Sequence, residues 1–211
     1  TTQILQKISN RIEVPFRVDF AGGWLDVPRF SRRGGFIVNC AVSPLVSDKN
    51  WPYKIGGGLG GSAARAILDI KNGVSSELKL GVGWQDPAVI EETGLCVWRS
   101  GSKPVLDSKH NPEWLNGKML VFFTGKPHST PDIANLSRDY EIIYQAGLLA
   151  KEAVRRSNIN ILARAVSRSY SAQIKEGMDK LPDFKKAIAK KYLGGGHGGY
   201  ALYIFENKKD K

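Results

Sequence analysis

Cysteine is nearly absent from this chain: Cys40 and Cys96 are the only two among 211 residues. Two thiols are too few for a disulfide framework, and they show no metal-ligand spacing. Long apolar runs are missing as well. None approaches the about 18 residues that a membrane span needs, so no membrane partner is expected. The opening TTQILQKISN carries no apolar stretch of signal-peptide length. Together these absences point to a soluble protein in a reducing, cytoplasmic setting.

Acidic residues are also scarce. There are 20 Asp and Glu against 31 Lys and Arg, a net charge of +11. The imbalance is uneven: residues 151–211 hold 14 basic and 6 acidic side chains, net +8, whereas the first 150 hold 17 and 14, net +3. A basic C-terminal third suits nucleic acid, an anionic surface or a phosphorylated small molecule, or it is simply a solvated helix face. No recognised nucleic-acid motif accompanies it. The hydrophobic fraction of 42% and charged fraction of 24% are ordinary for a chain with a buried core, which excludes disorder as the main state.

The pattern along the chain reads as α+β. RIEVPFRVDF (11–20) alternates like a half-buried strand, with Arg17 and Asp19 on one side. GGFIVNCAVSPL returns to strand character, and a glycine loop then opens into a helix that Asn72-Gly73 is expected to close. Short strands at 95–98 and 103–106 suggest a hairpin, and KMLVFFTG (118–125) reads as an apolar strand. From Pro131 to Lys190 the spacing turns helical. Ile133, Leu136, Tyr140, Ile143 and Tyr144 share one face; a second helix follows Asn158 as cap; Pro182 sits in the first turn of a third. GGYALYIFE forms the last strand. The favoured division falls near 115–118, giving halves of 1–116 and 117–211.

Four segments carry chemistry. Gly57-Gly58-Leu59-Gly60-Gly61-Ser62-Ala63, preceded by Gly56, lies directly before a helix. Glycines let a backbone approach an anion closely, and helix N-terminal N–H groups add partial positive charge, so the loop suits a phosphate. Ser62 could give its hydroxyl to that phosphate or to its magnesium ion. The loop lacks the Lys-Ser/Thr pair of a Walker A motif and the spacing of a dinucleotide fingerprint. A second glycine cluster, Gly194-Gly195-Gly196-His197-Gly198-Gly199, precedes the final strand. Asp26, in the tight loop after Gly22-Gly23, could accept hydrogen bonds from sugar hydroxyls or stabilise its own turn. Asp86, inside Gly83-Trp84-Gln85-Asp86-Pro87, could act as a base or cap a helix.

Those segments, in that order, resemble the GHMP small-molecule kinases, most of all the sugar-kinase branch of heptose-phosphate kinases and fucokinases. Pro15-Phe16-Arg17-Val18-Asp19-Phe20-Ala21-Gly22-Gly23-Trp24-Leu25-Asp26-Val27-Pro28 is similar to the branch's first motif. Gly56 through Ala63 resembles its phosphate loop, Gly83 through Pro87 its G-x-x-D-Q segment, with Pro87 in place of Gln, and Gly194 through Tyr200 its C-terminal glycine loop. Phe123-Thr124-Gly125-Lys126 also sits where that branch has a Thr-Gly.

The resemblance implies a two-part GHMP kinase-like α+β architecture, with a left-handed βαβ N-terminal part and a ferredoxin-like C-terminal part. It implies ATP and Mg²⁺ as cofactors and a sugar or sugar phosphate as acceptor. By the family pattern Asp86 and Arg17 are catalytic, Asp26, Gly23, Gly195 and Gly196 contact the substrate, the loop from Gly57 to Ala63 holds the triphosphate, and Ser62 lies by the metal. Lys126 and His128 could meet an anionic substituent. The family's magnesium-binding glutamate falls between Ser62 and Asp86, where Glu77 is the only glutamate. Two alternatives share these motifs: a shortened relative that binds nucleotide or anionic sugar without turnover, and another branch such as galactokinase or mevalonate-type kinases. Gly22-Gly23 speaks against galactokinase, which prefers Gly-Glu-His there.

Overall fold

The computed structural model describes residues 13–51, 57–127 and 133–211. Gly56 and His128 lie outside them. Among the described residues, seven strands form two antiparallel sheets. The first sheet has the order β1-β2-β3-β4, built from β1 (Val14–Ala21), β2 (Phe36–Val46), β3 (Leu95–Arg99) and β4 (Leu106–His110). The second has the order β5-β7-β6, from β5 (Met119–Phe123), β6 (Ala187–Tyr192) and β7 (Tyr200–Phe205). Three short helices, α1 (Gly61–Leu68), α2 (Gly73–Lys79) and α3 (Gln85–Glu92), link β2 to β3. Two longer ones, α4 (Tyr140–Arg155) and α5 (Ile159–Lys175), lie between β5 and β6.

The change of sheet falls between β4 and β5, but the core runs across it. Phe16, Val18 and Phe20 of β1 join Ala146, Ala150 and Val154 of α4, Leu162 and Val166 of α5, and Leu202 and Ile204 of β7 in one buried cluster. The small residues Ala146, Gly147, Ala150 and Ala153 of α4 present a flat face on which α5 and the first sheet can close. This shared core seats the first sheet's edge strand β1 against elements of the second half.

The structure corrects several expectations. β1 is buried along all eight residues and not on one face alone. α3, α4, α5 and the glycine loop all pack on it, so Arg17 and Asp19 are interior charges. The first helix ends at Leu68, and Asn72 caps the start of α2 instead of closing α1: its side chain accepts from Ser75 N at 2.8 Å. Strand β4 starts at Leu106, after Pro104, which has no N–H to give a ladder. Helix α4 starts only at Tyr140 because Asp139 caps it, accepting from Ile142 N at 3.1 Å. Asn158 caps α5 as expected. Pro182 opens no helix. Its carbonyl accepts from Tyr203 Oη at 2.8 Å and Lys190 Nζ at 3.2 Å, which fixes an irregular lead-in to β6 where helix was expected.

Candidate active site

The site forms where β1, the 57–63 loop, the N-terminus of α3 and the 193–199 loop meet. Arg17 is its centre. Strand alternation sends this side chain off β1 beside Asp19, and the two come within 3.4 Å. The Arg17 guanidinium grips Asp86 with two parallel bonds, Nε to Oδ1 at 2.6 Å and Nη2 to Oδ2 at 2.8 Å. Its third nitrogen, Nη1, donates to Gly58 O at 2.6 Å. One planar fork therefore ties the candidate base to the candidate phosphate loop. Burial opposes the charge on Arg17, but Asp86 and then Asp19 outweigh it and hold the guanidinium above its ordinary pKa.

The loop is anchored through its carbonyls. Gly57 O accepts from Tyr200 N at 2.6 Å and Leu59 O from Arg17 N at 3.1 Å. Gly60 sits in the left-handed region at φ 76°, where a Cβ would lie 3.2 Å from Arg17 Cγ and Ile90 Cδ1. Its carbonyl takes Ala64 N at 2.9 Å. The N–H groups of the first turn, from Gly61 through Ala63, have no carbonyl one turn earlier in the helix, and such groups suit an anion. Ser62 is exposed and donates to Glu77 Oε1 at 2.7 Å. Burial pushes the Glu77 carboxyl up to about 7, with the Asp86 charge adding to it. Among the described residues no cluster of three or more His, Cys, Asp or Glu gathers as a metal centre. The Ser62 hydroxyl and Glu77 carboxylate are nonetheless hard oxygen donors beside the loop, a pair that suits Mg²⁺ with phosphate oxygens completing its shell.

Asp26 is buried rather than presented by its loop. Its Oδ1 accepts from Trp24 N at 3.0 Å and Gln85 Nε2 at 3.3 Å, and its Oδ2 from Gln85 N at 3.1 Å. Burial pushes its carboxyl up to about 7 against those donors, with Asp86 adding. The contact demands glycine at 83, since a Cβ there would lie 1.7 Å from Asp26 Oδ2. Asp26 thereby fixes the turn from which Asp86 projects. Gly23 lies close by, its would-be Cβ 3.1 Å from Gln85 Nε2 and 3.7 Å from Asp19 Oδ2.

The second glycine cluster closes on the first. A Cβ on Gly194 would meet Gly58 Cα at 2.9 Å, and Gly194 N donates to Asp19 Oδ1 at 3.1 Å. Gly195 and Gly196 are buried, Gly196 against Met178. Thr124 Oγ1 donates to Gly199 O at 2.7 Å, joining β5 to the loop's end, while Lys126 Nζ stands 3.7 Å from Asp179. Sequence reasoning missed Lys191. This β6 side chain is 3% exposed, donates to Asp19 O at 3.2 Å and forms an ion pair with the Asp19 carboxylate. Burial works to raise Asp19, but Lys191 and then Arg17 outweigh it and hold the carboxyl below the usual range. Its only signal was position, three residues before a glycine cluster. A second missed group is Arg138, stacked 3.6 Å over the Trp24 ring and bonded to Glu176 at 2.7 Å, which links the first motif's loop to the end of α5.

Arranged in this way, the chain is similar to solved small-molecule kinases. A D-glycero-D-manno-heptose 1-phosphate kinase from Bacteroides thetaiotaomicron aligns with TM-score 0.63 at 17% identity, over 92% of this chain and 87% of that one. Methanococcus jannaschii mevalonate kinase gives TM-score 0.68 at 14% identity, over 94% and 91%. Lactococcus lactis galactokinase, solved with galactose, gives 0.62 at 11%, over 97% and 89%. The fold is that of the GHMP kinases. No family model matches the sequence, and no curated protein does. At these identities the GHMP kinase likeness covers architecture, and no helix among the described residues is long and apolar enough to cross a membrane.

Proposed function

We propose that this protein is an ATP-dependent small-molecule kinase that transfers the γ-phosphoryl group to a hydroxyl of a sugar or sugar phosphate, of heptose 7-phosphate or fucose type. One observation carries the reading: Arg17 holds Asp86 bidentately while bonding Gly58 O of the glycine loop, so a carboxylate, a cation and a phosphate-competent loop form one unit. Phosphoryl transfer asks mainly for positioning and charge stabilisation, which such a unit supplies.

Asp86 orients the acceptor hydroxyl and takes its proton. Arg17 fixes the carboxylate and balances charge at the transferring group. The backbone from Gly57 through Ala63 cradles the phosphates. Ser62 and Glu77 would hold Mg²⁺, which when bound neutralises phosphate charge. Gly23, Gly195 and Gly196 border the acceptor through their backbone. Asp26 steers the acceptor end through Gln85 and the loop it braces. The sugar kinases among the structural neighbours support a sugar acceptor, and the basic second half favours one that is already phosphorylated.

The test is ADP release in the presence of Mg²⁺ with heptose 7-phosphate, fucose, galactose and mevalonate offered separately. Turnover with heptose 7-phosphate or fucose is the expected result. Turnover confined to mevalonate or galactose would move the chain to another branch, and bound ATP without turnover on any acceptor would contradict the kinase reading.

A further inference from the structure

Two buried ion pairs have no part in the proposed chemistry: Arg138–Glu176, which ties the first motif's loop to the end of α5, and Lys191–Asp19, which lies beside Arg17. Lys191 and Asp19, each 3% exposed, pair between β6 of the second sheet and β1 of the first. Neither group reaches Asp86 directly. Burying two ions is costly before their attraction offsets it, and an apolar pair of the same shape would pack as well. The pair's connections suggest what it does instead.

Asp19 is a node with three attachments. Lys191 holds one carboxylate oxygen, and Gly194 N holds the other at 3.1 Å. That second oxygen also stands 3.4 Å from Arg17 Nη1, the nitrogen that bonds Gly58 O. A line of alternating charge therefore runs from Lys191 through Asp19 and Arg17 to Asp86. Lys191 and Gly194 both lie in the segment that leads into the C-terminal glycine loop.

We infer that Lys191 and Asp19 are a positioning pair: they couple the placement of the C-terminal glycine loop to the orientation of Arg17, and through Arg17 to Asp86. The inference rests on the kinase reading for its catalytic consequence, though not for its structural one. With Asp19 neutral, Arg17 Nη1 keeps only Gly58 O, and its fork is free to tilt on Asp86. A tilt of that kind affects the transfer step and leaves ATP capture by the loop backbone in place.

Asp19→Asn alone strands Lys191 as a buried unpaired charge and lowers the melting temperature, which obscures any effect on turnover. The informative variant is Asp19→Asn combined with Lys191→Met. It removes both charges, keeps an acceptor for Gly194 N and keeps the apolar stem. Expected is a melting temperature restored toward wild type, with kcat still reduced on the order of 10- to 100-fold because the reacting groups are misplaced. KM for ATP stays within about threefold, the signature of a contact that matters only in the transition state. Recovery of kcat together with stability would overturn the inference. A second readout needs no turnover. The Arg17 Nε–H, assigned by its loss in Arg17→Lys, is shielded by Asp86, and in the double variant its solvent exchange should accelerate about tenfold or more as that bond loosens. Unchanged exchange would overturn the pairing even if no acceptor is ever found, whereas faster exchange in a chain without turnover would sustain it and sink the kinase reading alone.

Discussion

At the end of α4, Arg155 and Arg156 close on Glu152 in open solvent; where the two sheets meet, Arg17, Asp19, Asp86 and Lys191 close on one another with little exposure. The two groups look alike as a count of ion pairs, yet they obey different physics. Solvent screens the first group, and its members hold one another by sequence proximity on a single helix. The second draws its members from β1, α3 and β6, so each pairing fixes an element of the fold. The basic surplus of the second half is mostly of the first kind, solvated side chains on α4, on α5 and along the segments that follow them. Arg138 and Lys191 are the exceptions that reach inward.

The comparison can be broken at several points, with decreasing effect. Asp86→Asn keeps the shape of the Arg17 fork's partner but removes the proton acceptor, and turnover should fall by roughly 10²- to 10⁴-fold while ATP affinity holds. Steady-state kinetics with calorimetric ATP binding would check it, and retained turnover would remove Asp86 from the role of base. Gly60→Val comes next. A β-branched residue at φ 76°, with its Cβ against Arg17 and Ile90, is strained by about 1–3 kcal/mol and displaces the loop. ATP affinity should drop about tenfold or more, since 1.4 kcal/mol is a factor of ten. Normal affinity in a folded variant would remove the loop from nucleotide binding.

Asp26 gives a third and smaller effect, visible in pH. Its folded pKa of about 7 stands above the ordinary value of 3.8, so the native state holds a proton that the unfolded chain has released. The stability it contributes is fully present below pH about 4 and is lost as pH rises through about 7. Asp26→Asn does not titrate, so melting curves from pH 5 to pH 8 should show the variant gaining on wild type. A constant gap would mean that the three N–H donors keep Asp26 ionised throughout. The smallest effect is on the solvent side. Glu152→Ala should leave both the melting temperature and kcat at their wild-type values, and a clear loss of kcat would dissolve the distinction between the two sets of charges.

The sequence was most readable where local pattern and chemistry coincide. The glycine loop before a helix, the Arg17–Asp19 alternation and the apolar strands 119–123 and 200–205 all follow from spacing that the backbone imposes. Reading failed where a distant partner decides. FKKAIAKKY has helical spacing, but β7 offers a free edge and Pro182 lends its carbonyl to Tyr203 and Lys190, so the segment becomes β6 and Lys191 turns inward. Asp26 reads as a loop acid because nothing local says that Gly83 will let Gln85 close over it. Likewise, Glu77 stands out as the only glutamate of its stretch, but its contact with Ser62 exists only once α1 and α2 fold together.

The central claim is that the glycine loop and the Arg17–Asp86 pair form a nucleotide site. It is tested most directly by backbone amide NMR during titration with Mg²⁺ and a non-hydrolysable ATP analogue. The account predicts saturable shifts concentrated at Gly57–Ala63, Glu77, Asp86 and Gly194–Gly196. Shifts centred instead on the basic outer face of α5, or no saturable shift at Gly57–Ala63, would contradict it.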